Sequence, residues 1–169
     1  MLEIREATEE DAPELRDYAE ALFAERLPGV FSWPVPTLED EIAFVRAHVE
    51  PENSALLVAV VDGVIAGLAS LTGGTLAEDR HTGTFGLSVA RDFRGRGIGT
   101  ALIRALLSWA RRHRITRVQC WSWASNPRAI SLYERLGFER EGVARQAIVS
   151  AGRPVDAILL AILLREELG

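Results

Sequence analysis

A glycine- and arginine-rich turn at residues 91–102 is the first feature of the sequence that could do chemistry. The segment, RDFRGRGIGTAL, places three glycines and three arginines between an apolar run and a helix-like run. Glycines permit a tight turn in which an anion can approach the backbone amides, and the amides at a helix start lack intrahelical partners. The helix dipole and the guanidinium groups add positive charge. The segment therefore favours binding of a pyrophosphate.

This turn departs from two common phosphate-binding motifs. No Gly-Lys-Ser/Thr sequence follows it, and the alternate spacing of Gly95, Gly97 and Gly99 is not that of the G-x-G-x-x-G fingerprint. From this stretch alone, a tight structural turn with solvated arginines is the alternative to phosphate binding.

The elements around the turn follow from apolar periodicity and turn signals. Strands are predicted at residues 2–7, 55–61, 64–72, 83–90, 116–123, 138–149 and 154–164. Helices are predicted at 11–25, at 38–49 after the N-cap Thr37, at 100–113, and from Pro127, after the N-cap Asn126, to Gly137. Asp62-Gly63 and Ala151-Gly152 are the expected hairpin turns. Because a helix joins the fourth and fifth strands, these strands should be parallel in a mixed α/β (α+β) sheet covered by helices.

Two blocks of the sequence resemble the GCN5-related N-acetyltransferase (GNAT) superfamily. The first is LSVARDFRGRGIGTALI, which contains Arg94-x-x-Gly97-x-Gly99. The second is SWASNPRAISLYERLGFEREG at 122–142, whose matching residues are Asn126, Ala129, Leu132, Tyr133, Gly137 and Phe138. The opening IREATEEDAPEL and the hairpin DGVIAGLASL also fit the family. The resemblance implies one N-acetyltransferase domain over 1–169, with six to seven strands, about four helices, and splayed fourth and fifth strands.

The resemblance also implies where acetyl-CoA, the co-substrate, would bind. The backbone of Leu87, Ser88 and Val89 would pair with the pantetheine arm as an added strand does. The pyrophosphate would meet the amides of Gly95, Arg96, Gly97, Ile98, Gly99 and Thr100. Arg94, at the motif position, and Arg96 would neutralise phosphate charge. Asn126 would contact the arm in addition to capping its helix.

Tyr133 is the expected catalytic residue. By resemblance, its hydroxyl points at the cofactor sulfur and gives a proton to the coenzyme A thiolate when an amine attacks the thioester directly. The alternative is an aromatic core residue, since Tyr133 lies at helical spacing from Ala129, Ile130 and Leu136.

The general base that would deprotonate the amine stays open. The family's N-terminal protein acetyltransferases often carry a Glu five residues before the motif Asn, and this chain has Trp121 there. The candidates are Glu78, Asp79, His81, Asp156 and water. Histidine is the residue type best suited to this role near neutral pH.

The residues beside Trp121 on its predicted strand are judged by the face they occupy. Trp121 and Trp123 share one face, which is either core or an apolar, cation-π wall for an amine. Cys120 lies on the other face without an activating neighbour in sequence, so a catalytic thiol is not expected.

Composition excludes several classes of function. A net charge of −5 argues against a general nucleic-acid binder, and the absence of lysine excludes a Schiff base. One cysteine and three scattered histidines predict neither an internal disulfide nor a metal site. No apolar run approaches the roughly 20 residues of a membrane span. The N-terminus is charged from its third residue, so no signal peptide and a cytoplasmic location are expected.

The expected partner is a small-molecule amine. The tail GVARQAIVSAGRPVDAILLAILL resembles superfamily members that acetylate amino acids and amino-acid-like compounds. The alternatives are a protein N-terminal or lysine acetyltransferase and a non-catalytic acyl-CoA-binding sensor. A loop at 28–37 closed over the site would favour a small amine, and an open groove a peptide. A homodimer is expected, and neither nucleic acid nor membrane is expected as a partner.

Overall fold

A seven-stranded mixed sheet with helices on both faces makes up the computed structural model, which describes residues 1–165. The strands are β1 Leu2–Glu6, β2 Ala55–Val61, β3 Val64–Gly73, β4 Thr82–Val89, β5 Arg117–Trp123, β6 Glu139–Ser150 and β7 Arg153–Leu163. The helices are α1 Ala12–Ala24, α2 Leu38–Val49, α3 Ile98–Arg112 and α4 Pro127–Arg135. The predicted fold class is confirmed.

The strand order is β1-β2-β3-β4-β5-β7-β6, and β4–β5 is the parallel pair within it. This pair is short. It runs from Thr82↔Arg117 to Thr84↔Gln119, although both strands continue beyond these residues. The sheet therefore opens between the carboxyl ends of β4 and β5, as the resemblance implied.

Side chains on opposite faces of the sheet enter two cores, as the two-residue period of a strand requires. On β2, Leu57 and Ala59 pack with α3 and α4 in the larger core. Leu56 and Val58 pack with α1 and α2 in the smaller core. The central strands are thus buried on both sides and form a rigid support for the opening between β4 and β5.

Local turn and cap chemistry follows the sequence predictions closely. Asp62 and Gly63 have φ values of 50° and 83°, and Ala151 and Gly152 have φ values of 49° and 73°, so both hairpins turn where predicted. The element boundaries agree with the predictions to within two residues, and α3, for example, begins at Ile98 rather than at Thr100. Gly97 is its N-cap at φ 80°, a left-handed conformation that glycine adopts without strain.

None of the helices within residues 1–165 is both long and apolar enough to cross a membrane.

Candidate functional site

A cavity of about 580 Å³ occupies the opening between β4 and β5. Its walls come from the ends of these strands, the turn before α3, one side of α4, and residues 27–30 of the loop after α1. Most of the residues predicted for the site are therefore brought together at one place.

The exposed edge of β4 forms one wall. Leu87, Ser88 and Val89 are paired with β3 on one side and line the cavity. On the β5 side the strand ladder has already ended at Thr84. An extended ligand could add to this edge as a further strand would, through backbone groups.

The glycine-rich turn meets the cavity at the start of α3. Gly95, Gly97, Ile98, Gly99 and Thr100 line it, with Gly95 at φ 76°. The first bond that closes a helical turn runs from the Ala101 amide to the Gly97 carbonyl at 3.0 Å. The amides at the beginning of a helix before such a bond have no intrahelical acceptor. The turn thus offers free amides and the positive end of a helix dipole to an anion.

Arg94 has protein partners rather than a free guanidinium. Its Nη1 and Nη2 donate to the two carboxylate oxygens of Glu25 at 2.7 Å each, and its Nε donates to the Val89 carbonyl at 2.9 Å. The hydrogen bond from Arg94 holds the pKa of the Glu25 carboxyl below its ordinary value. Glu25 is a site-adjacent residue that the sequence reasoning missed, and no motif marks it.

The guanidinium of Arg96, predicted to neutralise phosphate charge, lies over an aromatic ring. Its guanidinium carbon is 5.3 Å from the centroid of the Phe93 ring, a cation-π distance, and Arg96 is not among the cavity-lining residues of the described chain.

Tyr133 is both packed in the core and part of the cavity wall. Its side chain is 7% exposed, and its ring packs edge-on against Phe85 at 5.1 Å. Tyr133 also lines the cavity, and within residues 1–165 the tyrosine hydroxyl that forms a hydrogen bond is that of Tyr18, not that of Tyr133. Burial, with a smaller contribution from Cys120, raises the pKa of Tyr133 well above its ordinary value. The hydroxyl therefore stays protonated at neutral pH and can act as a donor.

Asn126 joins α4 to the loop that follows α1. Its Oδ1 accepts from the Ala129 amide at 3.3 Å, which is the predicted N-cap, and its Nδ2 donates to the Pro28 carbonyl at 3.3 Å. A Cβ on Gly29 would lie 2.8 Å from this Nδ2, so the chain passes Asn126 without room for a side chain.

The two tryptophans on β5 have different environments. Trp123 is buried and meets the ring of Phe31 edge-on at 5.2 Å, so the loop after α1 rests on it. Trp121 is 51% exposed and lines the cavity. Trp121 is thus the candidate wall residue, and Trp123 belongs to the core.

Three of the candidate general bases precede β4. Glu78, Asp79 and His81 lie before its first residue, whereas the cavity is at its carboxyl end. Eight residues at about 3.3 Å each separate the two ends of the strand by roughly 25 Å. The Asp79 carboxylate accepts from the Leu76 amide at 2.8 Å, a local loop contact.

The fourth candidate, Asp156, supports the last hairpin. Its carboxylate accepts from the Gln146 amide at 2.8 Å, where β6 changes register between Ala144 and Ile148. The part of the cavity wall formed by residues 1–165 contains no Asp, Glu or His. Over the same residues, no group of three or more His, Cys, Asp or Glu side chains could hold a metal ion.

Comparisons with known proteins agree with this architecture. The sequence profile of the Acetyltransferase (GNAT) family matches residues 9–138. The L-amino acid N-acetyltransferase AaaT of Escherichia coli strain K12 is 29% identical over 109 residues, which are 62% of this chain and 65% of that protein. The chain spans less than two thirds of the length of this and other curated relatives.

Two solved structures match over nearly their whole length. A GNAT-family acetyltransferase from Streptococcus pneumoniae superposes with a TM-score of 0.91 and 26% identity, covering 97% of this chain and 100% of that one. A ribosomal-protein-alanine N-acetyltransferase from Brucella melitensis gives a TM-score of 0.86 and 28% identity, covering 96% of this chain and 99% of that one. With the family profile covering most of its residues, the chain belongs to the GNAT family of acetyltransferases.

Proposed function

We propose that this protein is an acetyl-CoA-dependent N-acetyltransferase that acetylates the primary amine of a small molecule, an amino acid or an amino-acid-like compound. The observation that carries the proposal is the continuity of one cavity, whose lining joins the open edge of β4 and the glycine-rich turn to Tyr133. The sequence supports a single domain for this activity, and a cytoplasmic location and a homodimer stay predictions.

The residues of the cavity fit coenzyme A in both shape and charge. Its extended pantetheine arm matches the unpaired strand edge at Leu87, Ser88 and Val89. Its pyrophosphate matches the turn that begins α3, where free amides and the helix dipole favour an anion. These two features lie at neighbouring parts of the same cavity wall.

Tyr133 is proposed as the general acid. Acetyl-CoA supplies a thioester, and attack of an amine on it transfers the acetyl group and releases a thiolate. Tyr133 lines the cavity, and its hydroxyl would give its proton to that sulfur. A phenol is protonated at neutral pH before the reaction, and a later proton from solvent restores it after the transfer.

The proton of the amine is proposed to leave through water. The described cavity wall offers neither a carboxylate nor an imidazole to accept it. The ordinary pKa of an alkyl ammonium group is near that of lysine, so the neutral nucleophile is a minor species at pH 7. The rate should therefore follow ionisation of the substrate amine.

The loop after α1 supports a small acceptor over a peptide. The Asn126–Pro28 hydrogen bond and the Phe31–Trp123 ring contact hold this loop against the cavity. A groove for a peptide would need the loop to stand away from β5. The similarity to the amino-acid acetyltransferase AaaT supports the same substrate class.

A protein N-terminal or lysine acetyltransferase is the second candidate. The Brucella melitensis structure, named a ribosomal-protein-alanine N-acetyltransferase, is 28% identical to this chain. Trp121, where the N-terminal protein acetyltransferases often have a Glu, speaks against it. A non-catalytic acyl-CoA sensor is the third candidate.

The test is coenzyme A release, followed with a thiol dye, from acetyl-CoA mixed with amino acids, polyamines, aminoglycosides or short peptides. We expect wild type to release coenzyme A with a small amine. Tyr133→Phe should lower kcat about 100-fold and leave the affinity for coenzyme A unchanged, because the variant lacks the general acid. Release with peptides alone would move the assignment to the second candidate. Acetyl-CoA binding without turnover of any amine would favour the sensor.

A further inference from the structure

The cavity contains an arginine, Arg128, to which neither the motifs nor the family profile assigns a role. It is the second residue of α4 and lines the cavity beside the glycine-rich turn. We propose that Arg128 binds the pyrophosphate of coenzyme A, and that Arg94 is instead a positioning residue that holds the turn in place. This inference rests on the proposed function, because it requires coenzyme A in the cavity.

Arg94 is less suited to a phosphate because three of its five N–H donors already have protein acceptors. Glu25 takes two of its nitrogens and the Val89 carbonyl takes the third. The side chains of Arg94 and Glu25 are 26% and 18% exposed, so the pair is largely shielded from water. A pyrophosphate approaching Arg94 would meet a neutralised charge and the Glu25 carboxylate beside it.

The contacts of Arg94 explain what it does for the turn. Its Nε–Val89 bond fixes the end of β4, and its pair with Glu25 fixes the end of α1. A two-point arginine–carboxylate contact sets orientation as well as distance. The turn between β4 and α3 is therefore held at one geometry before any ligand arrives.

Arg96 does not supply the missing charge either. Its guanidinium lies over Phe93, at 5.3 Å from the ring centroid, and it is absent from the described cavity wall. The two arginines of the motif thus leave the anion-binding amides without an adjacent, free guanidinium.

Arg128 supplies a guanidinium next to the turn from the other side of the cavity. A Cβ built on Gly95 would lie 3.8 Å from its Nη2, which puts the guanidinium in contact range of the turn. In contrast to Arg94, Arg128 forms none of the ion pairs found within residues 1–165. A guanidinium without a carboxylate partner keeps its charge for an anion on the turn, and arginine can hold two phosphate oxygens at once.

Arg135 is the other cavity-lining arginine of α4. It is seven residues further along the helix, and at about 1.5 Å per residue this displaces it by roughly 10 Å from Arg128. Of these two arginines, Arg128 is the one whose guanidinium lies near the turn at Gly95. The position on the helix therefore favours Arg128 as the pyrophosphate ligand.

The test is calorimetric titration of the full-length protein with coenzyme A and with dephospho-coenzyme A, which keeps the pyrophosphate but lacks the 3′-phosphate. Arg128→Gln should raise Kd for both ligands about tenfold, the size expected for one charged hydrogen-bonding contact. Arg111→Gln, which removes the same charge from the exposed last turn of α3, is the matched control and should leave both values unchanged.

Three outcomes would overturn the assignment of Arg128 alone: equal affinities of Arg128→Gln and wild type, a loss confined to coenzyme A, or a larger loss in Arg135→Gln for both ligands. In each case wild type would still bind coenzyme A and transfer the acetyl group. Failure of wild type to bind coenzyme A would overturn this inference and the proposed function together.

Discussion

The Tyr18 hydroxyl lies 2.8 Å from the Ser88 hydroxyl, and this hydrogen bond joins α1 to β4. Ser88 also lines the cavity, so α1 is attached to the strand that forms the cavity wall. Burial raises the pKa of Tyr18 to about 12, and the bond to Ser88 opposes this effect only in part. The loop after α1 thus begins from a helix that is fixed to the site.

The two tyrosines of the chain, Tyr18 and Tyr133, should both resist ionisation in the folded protein. Burial raises the pKa of each, so an absorbance titration near 295 nm should show little tyrosinate at pH 10.5. The unfolded chain in denaturant should titrate near pH 10. Tyrosinate equal to one residue at pH 10.5 in the folded state would contradict the burial of one of them.

The raised pKa of Tyr18 also predicts a loss of stability in alkali. Between pH 10 and about 12 the unfolded state releases the phenol proton while the folded state keeps it, so the free energy of unfolding falls as pH rises. The shift of roughly two units corresponds to about 2–3 kcal/mol. Denaturant unfolding at pH 9 and pH 11 should show a smaller fall in Tyr18→Phe than in wild type. An equal fall in the free energy of unfolding of wild type and Tyr18→Phe would show that other groups cause the loss of stability.

Gly29 tests whether the loop after α1 shapes the acceptor side of the cavity. Gly29→Ala places a Cβ 2.8 Å from Asn126 Nδ2 at a φ of 89°, so the loop or the Asn126 side chain must shift and their contact changes. We expect KM for the amine to rise several-fold while KM for acetyl-CoA changes less. Steady-state kinetics with each substrate varied in turn measures the difference.

Gly63→Ala is the matched control for Gly29→Ala. Gly63 has a φ of 83°, close to that of Gly29, but an added Cβ there meets nothing within 4 Å. Both variants should lose about 1 kcal/mol of stability from the left-handed backbone. Similar kinetics in the two variants would show that backbone strain, rather than the loop contact, causes the change.

Much of the fold was predictable because its signals are local. Asn126 caps α4 through an amide only three residues away, and Gly137 ends that region at φ 96°, as its position after the helix predicts. Asp62-Gly63 turns a hairpin whose first strand ends at Val61 and whose second strand begins at Val64. Such features depend on the conformational preferences of a few consecutive residues, so the sequence states them directly.

The contacts that define the site were not predictable in the same way. Arg94 and Glu25 are 69 residues apart, and Asn126 and Pro28 are 98 residues apart. These contacts depend on how α1 and its loop pack against β4 and α4. No pattern of neighbouring residues in either segment indicates this packing. The motif position of Arg94 therefore indicated a phosphate ligand, although its partner in the fold is a carboxylate.

Cys120 should be a poor nucleophile and unnecessary for turnover. Burial raises the pKa of its thiol to about 12, so little thiolate exists near pH 8, although the residue lines the cavity. Cys120→Ala should keep kcat within about threefold of wild type, as direct attack on the thioester requires. Iodoacetamide should label Cys120 far more slowly in folded wild type than in denatured protein. Mass spectrometry of the intact protein measures the labelling. Loss of turnover in Cys120→Ala with retained coenzyme A binding would point to a covalent acetyl intermediate.

Glu25→Gln distinguishes a positioning role of Arg94 from a phosphate-binding role by the direction in which it changes Kd for coenzyme A. If Glu25 orients Arg94 and the turn, its loss should raise Kd for coenzyme A several-fold, because the two-point contact at 2.7 Å is broken. If Glu25 merely masks a phosphate-binding arginine, its loss should lower Kd. Glu20→Gln, an exposed change of the same charge on α1, controls for long-range electrostatics. Titration of both variants with coenzyme A at two salt concentrations measures these changes in Kd. Tighter binding by Glu25→Gln alone would show that Arg94 is the phosphate ligand.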